Sequence, residues 1–189
     1  MKVVQRTPTP GNDLSADEKK RRAATWFASL RDRICADFER IEDELTGTDS
    51  ELPPGRFQRT AWERPSETGG GGGGVMPVMR GRVFEKVGVN FSEVEGDQLP
   101  PSILSQRPEA KGQRWFATGT SMVLHPRNPY VPTVHANWRY FELYDKDGKR
   151  IDCWFGGGAD LTPNYVFEED ARHFHATLKE AMDPFGEHI

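Results

Sequence analysis

Five side chains able to bind an anion or move a proton are concentrated in residues 121–139: Ser121, His125, His135, Asn137 and Arg139. Successive side chains of a β-strand point to opposite faces, so Ser121 and His125 share a face of one predicted strand. His135, Asn137 and Arg139 share a face of the next, over about 13 Å at roughly 3.3 Å per residue. A surface of this breadth suits a broad anionic molecule better than a small one.

Prolines separate the two predicted strands, at positions 126, 129 and 132. Proline fixes φ and lacks an N–H donor, so residues 126–133 are predicted to form a stiff loop and not a tight hairpin turn. A polar residue on a strand is also typical of the solvated side of an antiparallel sheet. That simpler interpretation stays open for any one of the five side chains.

The composition excludes several classes of protein. A chain of 189 residues with 35% hydrophobic and 29% charged residues predicts one globular domain. The net charge of −4 disfavours nucleic acid and anionic membranes as partners. No apolar run is long enough to span a bilayer and no signal peptide is recognisable, so a cytoplasmic protein is expected. The isolated Cys35 and Cys153 indicate neither a disulfide framework nor a cysteine metal site.

The remaining pattern predicts an α+β fold, a large antiparallel β-sheet flanked by α-helices. Residues 1–14 have the composition of a disordered tail. Ser15 and Glu18 then form a capping box before an amphipathic helix, whose apolar stripe is expected to lie on the sheet. A second helix is predicted near residues 167–182, with its own buried apolar stripe.

Two glycine runs interrupt the pattern. Residues 69–74 are all glycine, but no Lys-Ser/Thr follows, so a phosphate-binding loop is excluded. A very mobile loop is predicted there, acting either as a linker or as a lid that approaches a ligand. Residues 156–158 are also glycine and precede Asp160. They leave room for a ligand close to the backbone, with Asp160 as the candidate base at its rim.

Three histidines from separate elements are sufficient in number for a divalent metal site: His125, His135 and His175. Helical geometry places His175 at the edge of the apolar stripe, where a core histidine is the simpler interpretation. No HExxH motif is present, so a metal-dependent hydrolase is the weakest alternative.

Several segments together resemble the oxygen-dependent coproporphyrinogen III oxidase family. They are GGGGGG at 69–74, VFEKVGVNFS at 83–92, HPRNPYVPTVHANWRYFE at 125–142, WFGGGADLTP at 154–163 and FEEDARHFH at 167–175. The resemblance covers roughly residues 55–189. It implies an oxidoreductase of heme biosynthesis that converts two propionates of coproporphyrinogen III to vinyl groups with molecular oxygen. Carbon dioxide and protoporphyrinogen IX are the products.

The resemblance also assigns catalytic roles. His135 matches the family's proton donor, and Asp160 matches an acid that engages pyrrole N–H groups. Asp160 would draw a proton from a pyrrole nitrogen and make the ring electron-rich enough to react with oxygen. His135 and Arg139 would then manage the proton and the carboxylate as carbon dioxide leaves.

Substrate and metal contacts carry over in the same way. Ser121, Asn137, Trp138 and Arg139 match substrate-binding positions, although alternation leaves only the backbone of Trp138 near the substrate. The three histidines at 125, 135 and 175 match residues to which a divalent metal is attributed. The family's reaction is treated as needing no metal or organic cofactor, so the cation is an optional partner.

Family members are homodimers that continue well beyond Ile189. The resemblance therefore implies that residues 15–189 are the N-terminal part of a single domain, truncated at its C-terminus. The alternative to an active oxidase is then an inactive tetrapyrrole-binding fragment of the same fold.

Overall fold

One six-stranded antiparallel β-sheet is the framework of the computed structural model, which describes residues 14–65 and 69–186. The strands lie side by side in chain order: β1 (Gln58–Glu63), β2 (Gly70–Met79), β3 (Phe84–Gly96), β4 (Arg114–Pro126), β5 (Thr133–Tyr144) and β6 (Arg150–Thr162). The predicted α+β class with a large antiparallel sheet is confirmed. Residues 1–13 of the predicted tail lie outside the described residues.

Three α-helices accompany the sheet: α1 (Ala16–Asp43), α2 (Pro101–Leu104) and α3 (Glu168–Met182). Short 3-10 helices lie at Pro108–Ala110 and Asp183–Phe185. The first helix begins as predicted, because the Ser15 hydroxyl accepts the backbone N–H of Glu18 at 3.2 Å.

Helix α1 packs on one face of the sheet, which we call the helix face. Phe27 is buried against Phe116 and Tyr140. The hydroxyl of Thr120 donates to the carbonyl of Phe27 at 2.8 Å. Even-numbered residues of β4 therefore point toward α1, and odd-numbered residues point to the opposite face, which we call the open face.

Within residues 14–65 and 69–186, an apolar cluster covers one end of the open face. The connection between β3 and β4 folds back over it and forms an apolar cluster of Leu99, Ala110, Trp115, Phe141 and Leu143. The rest of this face, from Gly119 to His125 on β4, lies on the side of the sheet away from α1. This half carries Ser121, His125, His135, Asn137 and Arg139, the polar residues that the sequence placed on two strands.

The glycine run is a strand, so the prediction of a mobile loop was wrong. Gly70–Gly74 form the first half of β2: all five pair with β3, and Gly73 and Gly74 also pair with β1. A β-carbon on Gly72 would lie 2.2 Å from the carbonyl oxygen of Glu93, and one on Gly73 would lie 2.3 Å from that of Trp62. Tertiary pairing thus outweighs the weak strand preference of glycine and makes glycine necessary here.

A buried carboxylate joins α1 to the sheet. Glu42, with no solvent exposure, accepts the backbone N–H groups of Gly55, Arg82, Val83 and Phe84 at 2.9–3.0 Å. Burial raises the pKa of Glu42, but these four donors outweigh it and hold the pKa below its ordinary value. The Arg82 guanidinium in turn donates to the backbone carbonyl of Glu42 at 2.7 and 2.9 Å. Hydrogen bonds in both directions therefore hold α1 to the turn between β2 and β3.

Helix α3 forms where it was predicted, but its apolar stripe is not buried within the described residues. Phe167, Leu178 and Met182 are 38–41% exposed. This differs from the expectation because the described chain places little over the helix.

No helix in residues 14–65 or 69–186 is both long enough and apolar enough to span a membrane.

Candidate active site

Strand register brings the predicted site residues together on the open face. They form three parallel rows across β4, β5 and β6: Val123–His135–Asp160, Ser121–Asn137–Gly158 and Gly119–Arg139–Gly156. Directly paired residues have β-carbons about 4.5–5.5 Å apart. The imidazole of His135, the guanidinium of Arg139 and the carboxylate of Asp160 therefore share one surface. Alternation predicted this for His135 and Arg139, and the β5–β6 register adds Asp160.

A hydrogen bond joins His135 to Asp160. Nδ1 of His135 lies 2.8 Å from Oδ1 of Asp160, which also accepts the Thr162 hydroxyl at 3.1 Å. The His135 hydrogen bond, aided by that from Thr162, lowers the pKa of the Asp160 carboxyl below its ordinary value. An ionised carboxylate only accepts hydrogen bonds, so Nδ1 carries the shared proton and Nε2 stays available to another molecule.

Within the described residues, Arg139 differs from five other arginines near the strands. Each of these five donates to a protein group: Arg80, Arg82, Arg107, Arg114 and Arg127. The exposed guanidinium of Arg139 makes no hydrogen bond or ion pair within residues 14–65 and 69–186. Its stem leans over Gly119, where a β-carbon would lie 3.0 Å from Cγ of Arg139. This fork is therefore available to a carboxylate.

Two glycines of β6 leave bare backbone beside these side chains. A β-carbon on Gly156 would meet only Cδ1 of Trp154, and one on Gly158 only Nδ2 of Asn137, each at an ordinary 3.9 Å. Packing within the described chain therefore does not demand glycine at either position. Glycine lowers the stability of a strand, and where it occurs in one, a common reason is that a ligand approaches the backbone closely.

Comparison with known proteins gives the family. A family model described as coproporphyrinogen III oxidase matches residues 22–189. The chain belongs to the coproporphyrinogen III oxidase family.

Curated relatives named oxygen-dependent coproporphyrinogen-III oxidase agree with the family model. The relative from Synechococcus sp. (strain CC9902) is 56% identical over 176 residues, covering 93% of this chain and 43% of the relative. That from Parasynechococcus marenigrum (strain WH8102) is 54% identical over 178 residues, covering 94% and 44%. That from Prochlorococcus marinus (strain MIT 9313) is 56% identical over 168 residues, covering 88% and 42%. The chain thus spans less than half the length of these relatives.

The three histidines carried over from the family do not form a metal site among themselves. The rings of His125 and His135 lie 6.3 Å apart, whereas His175 is on α3 and packs against Phe174. In the part of the chain that is described, no three His, Cys, Asp or Glu side chains are grouped to hold a metal ion. These donors therefore do not fit a metal by themselves.

His175 does approach the site at one edge. It lines a hollow of about 320 Å³ beside the end of β6, together with Asp160 and Asp170. Apolar side chains complete the lining, including Leu161 and Phe174. The predicted interior histidine is therefore an exposed neighbour of Asp160 and is not a core residue.

Trp138 lies on the helix face. Its register partner is Thr120, whose hydroxyl bonds to α1. The indole therefore points away from the open face, and of this residue only the backbone borders that face, as alternation along β5 predicted.

Sequence reasoning missed two polar residues of β3. Asn90 pairs with Ser121 and Ser92 pairs with Gly119, so both side chains join the open face. Period-two alternation from Gly88 would have placed them on one face of a strand. It gave no indication that β3 would be the strand beside β4.

Proposed function

We propose that this chain carries the reactive surface of an oxygen-dependent coproporphyrinogen III oxidase. The observation that carries this proposal is the hydrogen bond between Asp160 and His135, on the same face as Arg139, which has no partner within the described residues. The family's name gives the substrate, coproporphyrinogen III, and the product that we propose is protoporphyrinogen IX. The chain spans less than half the length of its relatives, so we extend their named activity to this chain only as a proposal.

The proposed reaction oxidises each of two propionates to a vinyl group. A hydrogen on the carbon next to the pyrrole ring and the carboxylate carbon are both lost, and a carbon–carbon double bond forms. This releases carbon dioxide, a proton and two electrons for each propionate. Molecular oxygen accepts those electrons with two protons and becomes hydrogen peroxide, so one proton is consumed overall.

Asp160 acts on the pyrrole nitrogen in this scheme. Its lowered pKa makes the carboxylate a weaker base than an ordinary aspartate, so complete removal of a pyrrole proton is disfavoured. We therefore assign Asp160 the acceptance of a pyrrole N–H hydrogen bond. A negative charge held at this position raises the electron density of the ring and favours its oxidation by dioxygen.

Arg139 and Asn137 hold a propionate. A guanidinium binds a carboxylate through two parallel N–H donors, and the Asn137 amide adds another donor two residues away on the same face. Gly156 and Gly158 give the ring a flat surface beside them. Release of carbon dioxide removes the charge that Arg139 neutralises, so this contact favours the bound substrate over the vinyl product.

His135 positions Asp160 and supplies the proton route. Its Nδ1–H fixes the carboxylate, and in this proposal Nε2 exchanges a proton with the reacting groups. The ring is 44% exposed, so a bound macrocycle would exclude water from it.

The assay supplies coproporphyrinogen III and oxygen to the chain and follows protoporphyrin fluorescence after oxidation of the product. Turnover is expected for the unchanged chain, whereas D160A should be inactive with an unchanged melting temperature because Asp160 lies on an exposed surface. D147A, which removes an exposed carboxylate from the β5–β6 turn, is the matched control. Normal turnover by D160A refutes the assigned role, and binding without product identifies an inactive tetrapyrrole-binding fragment.

Homodimerisation, a cytoplasmic location and a divalent cation stay predictions. Sedimentation of the purified chain tests the first. Metal analysis of the same preparation tests the last.

A further inference from the structure

The open face continues past the residues used above and reaches the edge strand β1. Trp62 pairs with Gly74, which pairs with Ser92, and Ser92 pairs with Gly119. One row of register partners therefore runs from Trp62 to Arg139, and Asn90 lies beside it.

Trp62 lies over the backbone of β2. Its indole atoms Cε2 and Cζ2 are 2.9 Å from where a β-carbon on Gly74 would sit. The side chain is 37% exposed and belongs to none of the core clusters formed by the described residues. Its other ring surface is therefore free to pack against a flat apolar molecule.

Asn90 is an exposed amide that makes no side-chain hydrogen bond within residues 14–65 and 69–186. Its neighbour on the same face, Gly88, would accept a β-carbon with only an ordinary 3.9 Å contact to Val123. This repeats the arrangement at Gly156 and Gly158, where polar side chains stand beside bare backbone that packing does not demand. The same type of surface thus occurs on β3 and on β6.

The dimensions suit one broad ligand. Strands lie about 4.8 Å apart, so Trp62 and Arg139 are separated by roughly 19 Å at the backbone. The indole leans inward over β2 and the Arg139 stem leans inward over β4. An opening of about 10 Å, two strand intervals, remains between them.

We propose that Trp62 is an apolar wall of the substrate site and that Asn90 is a further polar contact in it. The ligand is a macrocyclic polycarboxylate lying across β2 to β5. The indole packs against a pyrrole ring, and the Asn90 amide donates to a carboxylate remote from His135. This inference rests on the proposed function and assigns the side of the site opposite to Asp160.

Coproporphyrin III, the stable oxidised form of the ring, is the probe, and its fluorescence is titrated with the full chain. W62A should weaken binding by roughly tenfold, whereas W62F should keep affinity within about threefold because it retains an aromatic face. W26A is the matched control, since Trp26 is 50% exposed on α1 on the other side of the sheet. It should bind as the unchanged chain does.

A charge introduced at position 90 tests the Asn90 contact independently of Trp62. N90D should weaken binding more than N90A, because the new carboxylate repels those of the probe, and the difference should shrink at high salt. N128D adds the same charge in the β4–β5 loop, where the oxygen that accepts the Tyr130 N–H is kept. It should leave the affinity unchanged.

The outcomes separate this inference from the proposed function. Binding that R139A weakens and that W62A and N90D leave unchanged overturns the Trp62 and Asn90 assignment alone. An equal loss in W26A shows non-specific adsorption and overturns it as well. No binding of the probe by the unchanged chain overturns both.

Discussion

The two faces of the sheet use polar side chains in opposite ways. Polar residues on the helix face are buried and hydrogen-bonded, namely Thr118, Thr120 and Glu142. Three on the open face are at least partly exposed and make no side-chain hydrogen bond within the described residues, namely Ser121, Asn137 and Arg139. Polar groups on the first face serve folding, whereas those on the second are available to a ligand.

Two carboxylates give the same contrast. Glu142 has no exposure and accepts the Tyr140 hydroxyl at 2.5 Å and the Arg150 guanidinium at 3.0 Å. Burial, reinforced by that hydrogen bond, raises the pKa of Tyr140. Asp160 is 58% exposed, and only His135 and Thr162 hydrogen-bond to its carboxylate within the described chain. Removing a carboxylate should therefore cost stability on one side and activity on the other.

The largest effect is expected from E42A. It leaves four backbone N–H groups without their acceptor at the end of α1, so the free energy of unfolding should fall by about 3–5 kcal/mol. Urea denaturation measures this loss. E44A removes an exposed carboxylate paired with Arg40 and should change stability by less than about 0.5 kcal/mol. Equal losses in the two variants would contradict the role of Glu42.

R139Q should weaken substrate binding by about 10- to 100-fold while leaving the melting temperature unchanged. The melting temperature should not change because Arg139 has no partner in the described chain, so its removal leaves no protein group without a hydrogen bond. R139K keeps the charge without the planar fork, so its affinity for the substrate should lie between that of the unchanged chain and that of R139Q. KM in the oxidase assay reports the change, and R33Q on the exposed side of α1 is the control. A loss of stability in R139Q would show a structural role instead.

Neighbouring glycines of β6 should respond with opposite signs. A β-carbon on Gly157 would lie 2.3 Å from the Asn137 carbonyl, so G157A should destabilise the fold by about 1–3 kcal/mol. G158A meets no such contact and should stabilise it by roughly 0.5–1 kcal/mol. Only G158A places a methyl group on the open face, where it should weaken coproporphyrin binding. Thermal melts and probe titration of both variants separate packing from ligand clearance.

The smallest effect concerns acid pH. The pKa of Glu42 is lower in the folded chain than its ordinary value, so its stabilisation is complete above the unfolded pKa, about 4.3. It is lost as the pH falls through the folded pKa. The free energy of unfolding should therefore decline below about pH 4.3, and less steeply in E42Q. Parallel pH profiles for the two proteins would exclude Glu42 as a source of the acid sensitivity.

Features with a local physical cause could be predicted from the sequence. The Ser15 cap and the three- and four-residue apolar spacing determine α1 without reference to the rest of the chain. Alternation along β5 likewise places His135, Asn137 and Arg139 on one face and Trp138 on the other. These predictions required only that the segments adopt the regular backbone their residues favour.

Only the tertiary structure decided which segments lie beside each other. Residues 70–74 form a strand because β3 pairs with all of them and β1 pairs with Gly73 and Gly74, although glycine has no preference for strands. Asn90 and Trp62 lie on the open face because of strand pairings with residues distant in sequence. His175 is exposed, and not part of the core, because α3 itself is exposed. Strand order and register are non-local choices, since each depends on the packing of whole elements, and short-range residue patterns do not contain them.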